Sequence, residues 1–242
     1  LKIYLVVNIG KVADTNFEAF YLKTREIESR VYSDDVAKKL PNLTNNHAQF
    51  KEWQLRLKTL NRITNYLSTF KNKRILEIGC GNGWFTNKLN QTKNIVLGFD
   101  VNKTELTQAD ELFNGIEFWY HDIQLGLPDI DKVDFIIFNA SLQYFKNLKT
   151  LFPICNQVLN KNGELHILDT YFYNTKSISR AKQNSIRHYK KANVPEMGSY
   201  YFHHCLRDLP PHKVLYKPNI IVQKLFSDSP FPWIKIEKSD LN

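Results

Sequence analysis

The chain has 242 residues, 43% apolar and 13% aromatic, enough to bury a sizeable core as one domain with insertions. Its formal charge of +9 permits an anionic partner, yet the chain is also rich in Asn, Lys and Ile, a bias that an A+T-rich genome produces without selection for phosphate binding. No stretch approaches the roughly 18 apolar residues that a membrane helix needs, and Cys80, Cys155 and Cys205 lack the spacing of a disulfide framework or a zinc site.

The chain opens on Leu1, so the natural start is expected to lie elsewhere. The apolar segment Ile3 to Val7 is shorter than the roughly 7 to 15 residues of a signal-peptide core, and no small-residue cleavage site follows it; a reducing cytoplasm is the expected compartment. The N-terminal third reads as polar and helical to about Phe70. Within it Phe50, Trp53, Leu57, Leu60, Ile63 and Leu67 recur at helical spacing, which predicts a lead-in helix of about twenty residues ending by Asn72. Short apolar runs then alternate with helical stretches. RILEIG (74–79) precedes a helix near Trp84 to Leu89, NIVLGFD (94–100) a helix near Lys103 to Phe113, and IEFWYHD (116–122) leads to VDFIIFNA (133–140). A helix near Leu148 to Leu159 and the run GELHILD (163–169) continue the series. Strand and helix alternating at this pitch mean βαβ units and an α/β fold, a parallel sheet with helices on both faces. HKVLYKPN (212–219) and FPWIKIEK (231–238) supply the last two strands. The expected division is a helical N-terminal cap over 1–70 and an α/β domain over 71–242, with an inserted helical cap at about 171–209 after the fifth strand.

In such a sheet, ligands bind outside the carboxyl ends of the strands. The first of the alternating strands carries Glu77 at its end, and the turn Gly79-Cys80-Gly81-Asn82-Gly83 leads into a helix. A dinucleotide site wants G-x-G-x-x-G, but the sixth position here is Trp84, so the spacing is E-x-G-x-G-x-G. That spacing disfavours an NAD-dependent oxidoreductase. Over about residues 74 to 170 the chain resembles the class I S-adenosylmethionine-dependent methyltransferases. With REIESRVYSDD ahead of the sheet and PEMGSYYFHH after it, the chain looks like uncharacterised bacterial members of that group.

The resemblance implies a Rossmann-like, seven-stranded, mostly parallel sheet whose last strand is antiparallel. It also implies S-adenosylmethionine (SAM) as cofactor and S-adenosylhomocysteine (SAH) as product. By the same likeness Glu77 orients the turn near the cofactor's amino group, while Gly79, Cys80, Gly81 and Gly83 carry the backbone close beneath its methionine and ribose parts. Asp100, 23 residues after Glu77 and followed by Val101, is placed to accept both ribose hydroxyls; an NAD enzyme places an acid similarly. Asp122 is placed to accept from the adenine amino group, with Ile123 beside the ring. Asn139, Ala140 and Ser141 line the pocket under the methionine part.

Acceptor specificity is expected in the segments that cover the strand ends. In the first, Arg25 and Arg30 either pair with the cofactor carboxylate or belong to a solvated amphipathic helix. In the second, Arg180, Lys182, Arg187, Lys190 and Lys191 occur with no acid between Asp169 and Glu196. Such a basic helix attracts phosphate or carboxylate, or is a wet face. The stretch PEMGSYYFHHC then offers Tyr201, His203 and His204 as catalytic candidates, since histidine titrates near neutrality. Adjacent histidines on a helix point about 100° apart, so at most one faces a given pocket, and no metal site is expected. Tyr200 and Tyr201 either present ring faces to the sulfonium or belong to the core. The fourth strand lacks the N-P-P-[YF] of many nucleic-acid amino-methylating enzymes. The expected activity is methyl transfer to O or N of a small-molecule acceptor. The alternatives are an RNA methyltransferase using the basic insertion, and a non-catalytic SAM-binding module.

Overall fold

The structure is a computed structural model that describes residues 8–10, 14–219, 221–223 and 227–241; the apolar segment at Ile3 to Val7 lies outside them. Its main sheet is built from β1 (Asn8–Ile9), β2 (Arg74–Ile78), β3 (Ile95–Asp100), β4 (Glu117–Tyr120), β5 (Val133–Asn139) and β6 (Leu159–Leu168), with β9 (Lys213–Tyr216) and β10 (Trp233–Glu237). Two short strands between them, β7 (Phe172–Tyr173) and β8 (His204–Cys205), pair only with each other. The order across the sheet is β1-β4-β3-β2-β5-β6-β10-β9. Pairings from β1 to β6 are parallel, and β10 runs antiparallel to both β6 and β9. The seven expected strands are present. A further one, β1, adds two residues to the edge beside Trp119 and Tyr120, inside a segment that reads as helical.

The helices are α1 (Thr15–Ile27), α2 (Asp34–Ala37), α3 (Phe50–Leu67), α4 (Trp84–Asn90), α5 (Lys103–Leu112), α6 (Leu148–Val158) and α7 (Ile178–Lys191). The inner strands are nearly continuous apolar runs because both faces of the sheet are covered. Side chains alternate between those faces. Leu76, Ile78, Leu97, Phe99, Ile136 and Phe138 pack against Leu148, Leu151, Phe152 and Cys155 of α6. Ile75, Val96, Phe135 and Ile137 pack on the other side against Trp53, Leu60, Ile63 and Leu67 of α3 and Trp84, Phe85 and Leu89 of α4. The lead-in helix α3 is thus one of the sheet's own covering layers.

A smaller apolar cluster stands apart above the strand ends. Tyr189, Val194 and Met197 are buried there against Phe17, Phe20, Tyr21, Tyr144, Tyr200 and Tyr201, joining α1 to the insertion. Polar bonds fix this roof at its margins. Tyr200 Oη donates to Asp14 Oδ2 (2.8 Å), and the backbone N of Thr104, at the start of α5, donates to Glu18 Oε1 (3.0 Å). The basic residues Arg180, Lys182, Arg187, Lys190 and Lys191 are all exposed on α7. Neither His203 nor His204 lies on a helix: His204 opens β8 and His203 immediately precedes it.

Candidate active site

The site begins where β2 ends. Gly79, Gly81 and Gly83 have φ of +78°, +53° and +71°, left-handed conformations that cost a side-chain-bearing residue. A Cβ on Gly79 would overlap Ser141 Cβ, and one on Gly83 would lie 2.8 Å from Ala109 Cβ and Phe118 Cζ. Asp100, at the end of β3, holds the turn: Gly81 N donates to its Oδ2 (2.7 Å) and Asn102 N to its Oδ1 (2.8 Å). Each carboxylate oxygen keeps acceptor capacity for a ligand. Ser141 Oγ donates to Ile78 O (2.5 Å), which fastens the end of β5 to the end of β2.

Two hollows flank this turn. A cleft of about 350 Å³ is lined by Gly79, Gly81, Asp100, Val101, Asp122, Ile123, Ala140 and Ser141, and Phe17, Tyr21, Tyr144, Tyr200 and Phe202 cover it. A narrow recess on the other side is lined by Glu77, Cys80, Asn139, Arg25 and Arg30, together with Gly79, Gly81 and Ala140. Gly83 lines neither; its space is limited by α5 and β4. Asp122 also caps the turn that follows it, its Oδ1 accepting from Gln124 N at 2.9 Å. Arg25 lies over the ring of Tyr21, 4.7 Å from its centroid, with Nη1 3.6 Å from Glu28 Oε2. Arg30 donates from both terminal nitrogens to Glu52, at 2.8 and 2.5 Å.

Three acids surround the turn, Glu77 buried and Asp100 and Glu105 half-buried. Burial pushes Glu77 up to about 8, with a further push from the charge of Asp100, although Thr86 Oγ1 donates to its Oε2 at 2.6 Å. Asp100 is pushed up to about 6 by burial, against the pull of the Gly81 and Asn102 backbone N–H groups. Glu105 is pushed up to about 7 by burial and then by Asp100, with Arg25 opposing. The Oδ1 of Asn139 is buried and accepts no hydrogen bond among the described residues. Such a set calls for a ligand rich in N–H and O–H donors and bearing positive charge, because these offset the desolvation of the acids. The amino group, ribose hydroxyls and sulfonium of SAM fit that demand.

Past Ala140, a chamber of about 410 Å³ opens over the end of β6, and Tyr201 lines it with Arg25, Arg30, Arg56 and Asp169. His203 and His204 line a separate outer cleft with Lys146, Lys149, Lys182 and Arg207. Neither histidine lines the glycine-turn cleft or the inner chamber. Burial lowers the pKa of both. The charge of Lys182 adds to the effect at His203, and the carbonyls of Leu142 and Phe145 oppose it at His204. His203 Nε2 is 3.0 Å from Ser185 Oγ. Sequence reasoning passed over Phe17, Tyr21, Tyr144 and Glu105. Glu105 carries a local signal, three residues after the cap Asn102, whose Oδ1 accepts from Glu105 N at 3.0 Å. The aromatic residues carry none, since only the folded chain brings α1 over β5.

A family model described as "Methyltransferase domain" matches residues 69–213. The chain is 31% identical over 112 residues to malonyl-[acyl-carrier protein] O-methyltransferase of Buchnera aphidicola subsp. Baizongia pistaciae, covering 46% of this chain and 44% of that protein. It spans less than half the length of the curated relatives it matches. In fold it is similar to magnesium protoporphyrin IX methyltransferase from Synechocystis PCC 6803, solved with bound SAM (TM-score 0.56, 11% identity, 94% of this chain and 99% of that one). It is likewise similar to the plantazolicin methyltransferase BpumL, solved with a pentazolic desmethylPZN analog and SAH (TM-score 0.54, 18% identity, 92% and 99%). Since the matched region takes in more than half of its residues, with the glycine turn and the strand-end acids inside it, the chain belongs to this methyltransferase domain family.

Proposed function

We propose that the chain uses SAM to methylate O or N of a small molecule. The observation that carries this reading is the cleft beside Gly79 and Gly81, on which Asp100, Asp122, Ile123, Ala140 and Ser141 converge from three different strand ends. When bound there, SAM supplies a methyl carbon activated by its sulfonium. Asp100 would accept from the ribose hydroxyls and Asp122 from the adenine amino group, with Val101 and Ile123 beside the ring. The recess holding Glu77, Cys80, Asn139 and Arg25 would receive the amino and carboxylate ends of the methionine part. Arg30, held by Glu52, supports that recess from its rim. The aromatic roof excludes water and fixes the approach of the acceptor; orientation of this kind lowers a barrier by about 7 to 11 kcal/mol.

A small acceptor is favoured over RNA because the chamber next to Ala140 is lined largely by rings and by none of the five basic residues of α7, which are exposed. Names among the relatives span a malonyl-acyl-carrier protein, a magnesium porphyrin and plantazolicin, so family membership alone does not select the acceptor. A base role for His203 or His204 requires an acceptor reaching into the outer cleft, and replacing each by Gln tests it through turnover at unchanged cofactor affinity. To the same proposal belong a helical cap to about residue 70, a methyltransferase domain beyond it, and work in the cytoplasm. No helix among the described residues is long and apolar enough to cross a membrane.

The deciding experiment is calorimetric titration of the protein with SAM, SAH and NAD. Micromolar binding of the first two and none of NAD is expected, with Asp100→Ala weakening SAM by at least tenfold. Binding of NAD alone, or of nothing, overturns the reading.

A further inference from the structure

The residue after β6, Asp169, lines the inner chamber, which meets the cofactor cleft at Ala140. Ala140, which lines both, donates its backbone N–H to Leu168 O at 3.0 Å, so the ends of β5 and β6 lie side by side. The side chain of Asp169 is 4% exposed. Its Oδ1 accepts from Thr59 Oγ1 (2.7 Å), but no hydrogen bond reaches its Oδ2 among the described residues. Arg56 Nη1 lies 3.9 Å from that oxygen, an ion pair too long for a hydrogen bond. The other nitrogens of Arg56 are engaged, Nε and Nη2 donating to Glu52 Oε1 at 3.2 and 2.9 Å. A shielded acceptor and a facing donor thus lie 3.9 Å apart without a hydrogen bond, in the wall of the chamber that adjoins Ala140.

The walls around this gap are rings. Tyr21, Tyr144, Tyr171, Tyr173, Tyr189 and Tyr201 line the chamber, with Tyr171 and Tyr173 5.5 Å apart between centroids and Tyr189 and Tyr201 6.0 Å apart. Flat apolar faces of this kind stack on an aromatic ligand, and about 410 Å³ suits a substituted ring.

We propose that this chamber takes the methyl acceptor and that the acceptor is a hydroxyl-bearing aromatic compound, its oxygen seated between Asp169 Oδ2 and Arg56 Nη1. The assignment deepens the methyltransferase reading and rests on it. An atom at about 2.8 Å from both groups must donate to one and accept from the other. A hydroxyl does so and keeps a second lone pair for attack. An amine nitrogen has a single pair, which the arginine would occupy; an ether donates nothing, and a carboxylate would be repelled by Asp169. In the step itself the hydroxyl oxygen forms the new O–C bond as the donor's S–C bond breaks. Sulfur keeps that bond's electron pair, and the hydroxyl proton passes to Asp169 Oδ2. Arg56 stabilises the negative charge developing on oxygen.

The test compares 4-methylphenol with 4-methylanisole, equal in ring and differing in the donor, titrated into the full chain with and without SAH. Tenfold or greater preference for the phenol is expected in the wild type. Asp169→Asn should abolish the preference while SAH affinity is unchanged, and asparagine is well suited to the positive φ of 45° at this position. Should that variant fail to fold, Arg56→Lys, which keeps the charge and loses the planar fork, should cut the preference at least threefold. Equal or absent binding of the two compounds by SAH-loaded wild type overturns the proposal, as does a preference that survives both substitutions. Failure of SAH itself to bind is a separate result, and it sinks the cofactor reading.

Discussion

Gly79 leaves its turn almost no latitude. Its φ of +78° disfavours any side chain, and the space a Cβ would take belongs to Ser141. Gly79→Ala should therefore cost about 1–3 kcal/mol in strain alone, read as a fall in Tm, with Ser141→Gly in the same chain recovering the part due to overlap. The neighbouring acids make a different prediction. Glu77, Asp100 and Glu105 have folded values of about 8, 6 and 7 against ordinary values of 4.5, 3.8 and 4.5. Between those ranges the folded chain holds protons that the unfolded chain has released, so their contribution to stability falls as pH rises from about 4 to 8. Melting scans should show Glu105→Gln gaining on the wild type above pH 7 and not at pH 4. Loading with SAH should expel protons near pH 7, detected by calorimetry in buffers of different ionisation enthalpy. Uptake, or no exchange, would contradict the placement of a donor-rich ligand beside these acids.

At the level of elements, what the sequence reveals depends on how local the cause is. β2, β3 and β5 are legible because burial on both faces leaves an uninterrupted apolar run, and α3 because one face packs on Ile75, Val96 and Phe135. The acids at strand ends are legible for the same reason: each interrupts or closes such a run. By contrast β1 is two residues long and exists through its pairing with Trp119 and Tyr120, a contact more than a hundred residues away in the chain. His203 and His204 suggest a helix only if a helical period is assumed; pairing of Phe172 with His204 and of Tyr173 with Cys205 puts His204 in a strand, and both histidines line the same outer cleft, against the expectation that at most one faces a given pocket. The gap at Asp169 is equally invisible, since Thr59 and Arg56 reach it from α3 across more than a hundred residues. The bond from Tyr200 to Asp14 likewise joins residues 186 positions apart. Tyr200→Phe should raise amide exchange in α1 and speed release of SAH, with exchange in β2 and β5 unchanged; unaltered exchange in α1 would show that the aromatic cluster alone holds the roof.

For the whole molecule, charge is divided between outside and inside. The surplus of +9 is displayed partly on α7, whose five basic residues are exposed, while in the ligand hollows Glu77, Asp100, Glu105 and Asp169 are offset by Arg25, Arg30 and Arg56. Binding of transfer RNA to such a surface is expected to be weak and to vanish between about 50 and 200 mM salt. Replacing Arg180, Lys182 and Arg187 by Gln should remove it without changing affinity for SAH; retention of tight RNA binding at the higher salt would revive an RNA substrate. The roof's apolar cluster of Tyr189, Val194 and Met197 is separate from the three clusters that pack on the sheet. A substitution within that small cluster therefore leaves the layers packed on the sheet untouched, so the covering segments can change what they admit while the floor beneath them keeps its shape.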